Sequence, residues 1–196
     1  MSQVTMSQVH KVQKLSKYAR AACSLLLALL ALSCAWVAID VIGAPGSSAT
    51  KFTVGRYVIR ADQLSSGLLK TWLLVVIATG GAISAGILYL LRRVFDNMAR
   101  GEIFSAGNVR HIRSIGAFIL AVGVLQFTIP AINALMHAMG AFDAAFATIT
   151  PSIVSPGVLV PFGVAGLIFL VSWIMAVGLG VSEEATELRR DAELVV

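Results

Sequence analysis

The sequence predicts an all-α membrane fold: a polytopic chain with four transmembrane helices in an antiparallel bundle and both termini cytoplasmic. Three observations predict it. Four apolar runs, Ala21–Ile42, Leu68–Leu91, Ile112–Met136 and Gly157–Val181, each reach the ~20 helical residues that cross a hydrocarbon core. The 196 residues are 58% hydrophobic and 13% charged, with a mean hydropathy of +0.87, which excludes an ordinary soluble domain. The basic residues are also unevenly divided. Eleven Lys and Arg fall in the N-terminal segment, the Arg92–Arg113 connection and the C-terminal segment, against four (Lys51, Arg56, Arg60, Lys70) on the other side. Cytoplasmic loops carry the Lys/Arg excess, so the first set faces the cytoplasm.

The order is therefore a cytoplasmic tail (1–20), span one (21–42), an outer loop (43–67), span two (68–91), a cytoplasmic connection (92–111), span three (112–136), a second outer loop (137–156), span four (157–181) and a cytoplasmic tail (182–196). No loop is long enough to hold a core of its own, so the chain is one membrane domain. The basic balance (pI near 9.6) orients the spans, so direct nucleic-acid binding is not expected.

Span one follows a basic lead of Lys11, Lys14, Lys17 and Arg20, as a signal peptide does. Its apolar run continues through Trp36-Val37-Ala38-Ile39, so it is read as a permanent anchor. Cys23 and Cys34 share a helix face but lie ~16 Å apart along it, too far to pair. Gly43-Ala44-Pro45-Gly46 ends the helix. In the outer loop, Phe52, Val54, Tyr57 and Ile59 alternate around Gly55, the pattern of a short strand pair or an extended segment.

Span two carries small residues at four-residue spacing, Ala78, Ala82 and Gly86, with Gly81 and Ala85 beside them. Spans three and four add Ala117 and Ala121, and Ser172, Ala176 and Gly180. Such rows let membrane helices approach closely, within one chain or between two copies in a homo-oligomer. Span three is the most polar. Gln126, Pro130, Asn133 and His137 fall on one face, and Pro130 removes a helix hydrogen bond and is expected to kink the helix. That face either bonds neighbouring helices or lines a solute path. No acid or base lies deep in a span, which argues against a proton-coupled transporter. In the second outer loop, Asp143–Phe146 suggest a helical turn, and Thr150-Pro151 and Ser155-Pro156 keep the approach to span four extended.

The strongest local signal is the cytoplasmic connection. Span two is expected to continue to Arg100 and to stop at Gly101 in a left-handed cap. Ser105 then N-caps the next helix. The pattern of Arg92-Arg93, a helical run, Gly101, Phe104-Ser105, Asn108, Arg110, Arg113 and Ile115-Gly116 resembles the bacterial four-span family called domain of unknown function 2975 (DUF2975). The acidic run Glu183-Glu184, Glu187, Leu188, Arg189-Arg190 before an apolar end is similar to that family's C-terminal signature. This chain has Ile103 where the family often has Pro. The resemblance implies no catalytic residues. It does imply a regulatory role, because some members are similar to proteins encoded beside small helix-turn-helix transcription regulators.

Charge adds an independent hint. The Arg92–Arg113 connection carries a net +3 and the Val181–Val196 tail a net −3. At separations within a Debye length of ~8–10 Å the two attract, so the tail is expected to fold back on the connection. Alternatively, the connection meets anionic lipid. The candidate cytoplasmic interaction surface is thus Arg92, Arg93, Gly101, Phe104, Ser105, Asn108, Arg110, Arg113, Glu183, Glu184, Glu187 and Arg190. The candidate intramembrane polar face is Gln126, Pro130, Asn133 and His137. No catalytic motif, metal-ligand spacing or phosphate-binding loop is found, and no cofactor is expected. The expected function is a non-enzymatic protein of the bacterial inner membrane that regulates or tethers a cytoplasmic partner, a helix-turn-helix transcription regulator being one candidate. A small-solute channel or transporter component is the alternative.

Overall fold

The computed structural model describes residues 3–43, 51–54, 57–60, 67–102, 105–140 and 156–194. Four long helices dominate them: α1 (Gln3–Gly43), α2 (Gly67–Ala99), α3 (Ala106–Ala138) and α4 (Pro156–Leu194). Each contains a stretch long and apolar enough to cross a membrane: Lys14–Gly43, Lys70–Ala99, Ala106–Ala138 and Leu159–Val181. Leu32, Val75, Val124 and Leu167 are each about half exposed or more. Apolar faces of this extent are not kept in water; here lipid is the solvent that covers them. The chain is a multi-pass membrane protein.

α1 and α4 run well past their apolar spans. The tail expected at 1–20 is helical from Gln3 and continuous with α1, and the tail expected at 182–196 prolongs α4 to Leu194. It therefore does not fold back from the end of span four: an unbroken helix rises 1.5 Å per residue and carries the acidic run away from its own span. α3 continues as helix through Pro130, and α4 does the same at Pro161. Pro156, expected in an extended approach, is instead the first residue of α4, where a fixed φ and a missing N–H cost nothing. The readings made for Gly43–Gly46 beyond Gly43, Asp143–Phe146 and Thr150-Pro151 lie outside the described residues.

Between α1 and α2, β1 (Lys51–Val54) and β2 (Tyr57–Arg60) pair antiparallel, with Lys51 opposite Arg60 and Val54 opposite Tyr57. β-branched and aromatic residues at alternate positions suit a pleated pair.

The chain forms two compact units. The first comprises Met1–Leu27, Gly86–Leu120 and Phe162–Val196; the second comprises Ala28–Ala85 and Ala121–Pro161. In the first, α3 meets α4 where the buried Ser172 hydroxyl donates to the Val109 carbonyl at 3.3 Å. It meets α2 where Gly86 faces the Phe118 ring, so closely that an added Cβ would lie 3.0 Å from it. In the second unit, Gly81 lies against the Cys34 thiol, again leaving only 3.0 Å for a Cβ. The Trp72 indole N–H donates to Asn133 Oδ1 at 3.0 Å. Small residues admit the neighbouring helix, and a few hydrogen bonds fix the register, as membrane helix packing requires.

Candidate functional site

Three groups of polar residues stand out in this apolar frame. The first is the turn between α2 and α3. α2 ends by the Gly101 N–H donating to the Met98 carbonyl at 3.1 Å and the Glu102 N–H donating to the Asn97 carbonyl at 3.0 Å. This is the Schellman pair of bonds. It needs the left-handed φ of +87° that Gly101 adopts. α3 begins with Ser105, whose Oγ accepts the Asn108 N–H at 3.2 Å. Both expectations for this turn are met.

The side chain of Asn108 locks the two ends together. Its Oδ1 accepts from Asn97 Nδ2 at 2.8 Å, and its Nδ2 donates to the Glu102 carbonyl at 2.7 Å. Asn108 is 1% exposed. It was expected on an interaction surface; it is instead a buried strut, because a buried amide must find partners and the unpaired backbone of the turn supplies one. Ser105 is half-buried in its cap. Phe104 lies outside the described residues. Arg110 and Arg113 are exposed.

The second group is a basic pocket of about 220 Å³ lined by Arg20 of α1 and Tyr89, Arg92, Arg93 and Asp96 of α2. Asp96 accepts from Arg20 Nη1 at 2.7 Å and also pairs with Arg100. Arg93 sits over the Tyr89 ring, 5.4 Å from its centroid, and donates to the Tyr89 hydroxyl from Nε and Nη2 at 3.1 and 2.8 Å. Arg92 and Arg93 are exposed, as expected of them. Arg20, Tyr89 and Asp96 were not anticipated. The spacings Tyr89–Arg93 and Asp96–Arg100 are (i, i+4) pairs that sequence reading can find. The Arg20–Asp96 pair spans 76 positions and leaves no local trace.

The third group is the polar stripe of span three, which divides in two. Asn133 is buried against Trp72 and Pro130 is buried beside it in sequence, while His137 is half-buried and engaged in an interaction. Gln126 alone of the four lines a cavity of about 320 Å³ between α2 and α3, together with Thr79, Ser84 and Thr128. Of the two readings given for this face, Asn133 follows the first and bonds a neighbouring helix. Its amide oxygen accepts from the Trp72 indole, whose N–H needs an acceptor in a lipid environment.

On α4, Glu184, Glu187 and Arg190 are exposed, whereas Glu183 belongs to the helix with its side chain outside the described ones. The ion pairs that join described residues both fall on Asp96 and neither involves α4. Among the described residues no cluster of three metal-ligating side chains forms. The chain matches no family model, and comparison with curated proteins and with solved structures finds nothing similar to it.

Proposed function

We propose that this is a non-enzymatic multi-pass protein of the bacterial cytoplasmic membrane, with both termini inside. Its protruding helix ends tether and regulate a soluble protein. The partner class suggested by the DUF2975 resemblance is a helix-turn-helix transcription regulator. The observation that carries the reading is the α4 extension. It leaves its span as continuous helix, with Glu184, Glu187, Arg190 and Asp191 exposed and Leu188 68% exposed among them. An apolar side chain on a charged face that projects from the bilayer is an anchor for a partner helix or groove. The rigid turn around Asn108 supports the reading, because it gives the same membrane face a fixed second element.

In-cell crosslinking tests it. The intact protein should capture a soluble protein that is lost when residues Glu183–Val196 are deleted. An identical set of captured species from both forms refutes the reading. A second reading, a small-solute pathway, is favoured by Gln126. Its side chain faces the intramembrane cavity, and Pro130 leaves its backbone carbonyl without the usual helix bond. Flux through reconstituted vesicles that disappears in Gln126→Leu would support this alternative.

A further inference from the structure

We propose that the Arg20–Tyr89–Arg92–Arg93 pocket is a binding site for a phosphate group, supplied by the headgroup of an anionic glycerophospholipid. Position is the first argument. Arg92 and Arg93 follow directly on Leu91, where the apolar run of span two ends, and Arg20 directly precedes Ala21, where span one begins. The pocket therefore sits at the depth of the lipid phosphates. A basic pocket between membrane helices at that depth is the arrangement that recognises anionic headgroups.

Charge is the second argument. Three guanidiniums line the pocket against one carboxylate. That carboxylate is already occupied by Arg20 and by Arg100, so the pocket carries a positive excess that its own side chains do not neutralise. Arg92 has no hydrogen bond or ion pair among the described residues and is exposed. Among the described residues it is the unpaired cation of the pocket.

Pre-organisation is the third. Arg93 is held over Tyr89 by stacking and by two hydrogen bonds. The Tyr89 oxygen is used there as acceptor, which leaves its O–H proton to donate. A planar guanidinium fixed in place loses less freedom when it takes up a phosphate in bidentate fashion. A volume of about 220 Å³ accommodates the phosphate group. The Asp96 carboxylate faces the same space, and its pairing with two arginines keeps it from repelling the anion. The recognised chemistry is shared by a lipid headgroup and by free phosphate; depth in the membrane selects the lipid. This inference does not depend on the tethering reading.

The test reconstitutes the full-length protein in phosphatidylcholine nanodiscs with and without phosphatidylglycerol. Lipid retained after extraction is then counted by native mass spectrometry. The expected result is selective retention of phosphatidylglycerol by the unmodified protein, reduced about fivefold in Arg92→Gln, the effect of one basic residue at an anionic surface. Tyr89→Phe, which removes both hydrogen bonds to Arg93, is expected to reduce it as well. Lys14→Gln/Lys17→Gln, exposed on α1 and outside the pocket, is expected to retain the wild-type level. Among the described residues Arg92 makes no hydrogen bond or ion pair, so its variant is expected to fold. Wild-type retention by Arg92→Gln overturns the proposal, and so does an equal loss in the α1 variant, which would mean a diffuse basic surface. Displacement of the lipid by inorganic phosphate at millimolar concentration overturns the assignment to lipid.

Discussion

Replacing Asn108 by Ala removes the strut that joins α2 to α3, and the structure sets the size of the effect. Two hydrogen bonds of its side chain to described residues disappear: the one accepted from Asn97 at 2.8 Å and the one donated to the Glu102 carbonyl at 2.7 Å. Each contributes about 1 kcal/mol net. The groups left behind decide the remainder. Glu102 is exposed, so its carbonyl rehydrates, whereas Asn97 is half-buried and is only partly reached by water. The expected destabilisation is therefore about 2–3 kcal/mol, at the lower end of what stranding two buried groups costs. The backbone bond from Asn108 to Ser105 survives the substitution, so Ser105→Ala is a separate loss of about 1 kcal/mol, that of an N-cap. SDS titration in mixed micelles, followed by loss of helical signal, measures both. A double-mutant cycle with Asn97→Ala should show coupling of about 1 kcal/mol, because the two amides share one bond. If Asn108→Ala unfolds within about 0.5 kcal/mol of the parent, the amide is not a strut and the reasoning fails.

Other predictions concern the membrane interior. Asn133→Leu strands the Trp72 indole N–H; the expected cost is about 0.6–1.7 kcal/mol, the range for hydrogen bonds between membrane helices, and a shift in tryptophan emission should accompany it. Gly86→Ala drives a methyl to within 3.0 Å of the Phe118 ring, whereas Gly80 has nothing within 4 Å of an added Cβ. The first substitution should lower the unfolding midpoint, and Gly80→Ala should leave it unchanged or raise it by the helix preference of Ala, up to about 1 kcal/mol. The reverse order in the same titration would contradict the packing described between α2 and α3. Gly101→Ala should destabilise the turn by about 1 kcal/mol, because its φ of +87° is unfavourable for a residue with a Cβ, and faster limited proteolysis at the turn should report it.

The four spans and the turn were legible because their signals are local. Apolar length marks Leu68–Leu91 as a span without knowledge of its neighbours, and Gly101 and Ser105 mark a stop and a start by backbone chemistry alone. The Asn108 strut was half legible. The residue stood out in sequence, but its burial depends on the turn closing over it, so it was read as surface. The Arg20–Asp96 pair was not legible, since nothing local tells one helix which residue of another it will meet. The stripe of span three shows the same limit. Periodicity placed Gln126 and Asn133 on one face, yet the partner of Asn133 is the indole of Trp72 on α2. The fold-back of the acidic tail was inferred from charge, which is a weak force between exposed groups; helix propensity in Glu183–Leu194 prolonged α4 instead.

The central claim is that the protruding helix ends lie in the cytoplasm. Added cysteines placed by Thr53→Cys and Leu188→Cys, reacted with a membrane-impermeant maleimide, test it directly. The native Cys23 and Cys34, buried and half-buried within α1, give the background. Thr53→Cys should label in intact cells, and Leu188→Cys only after the membrane is permeabilised. Labelling of Leu188→Cys in intact cells would place the α4 extension outside and remove the basis for a cytoplasmic partner.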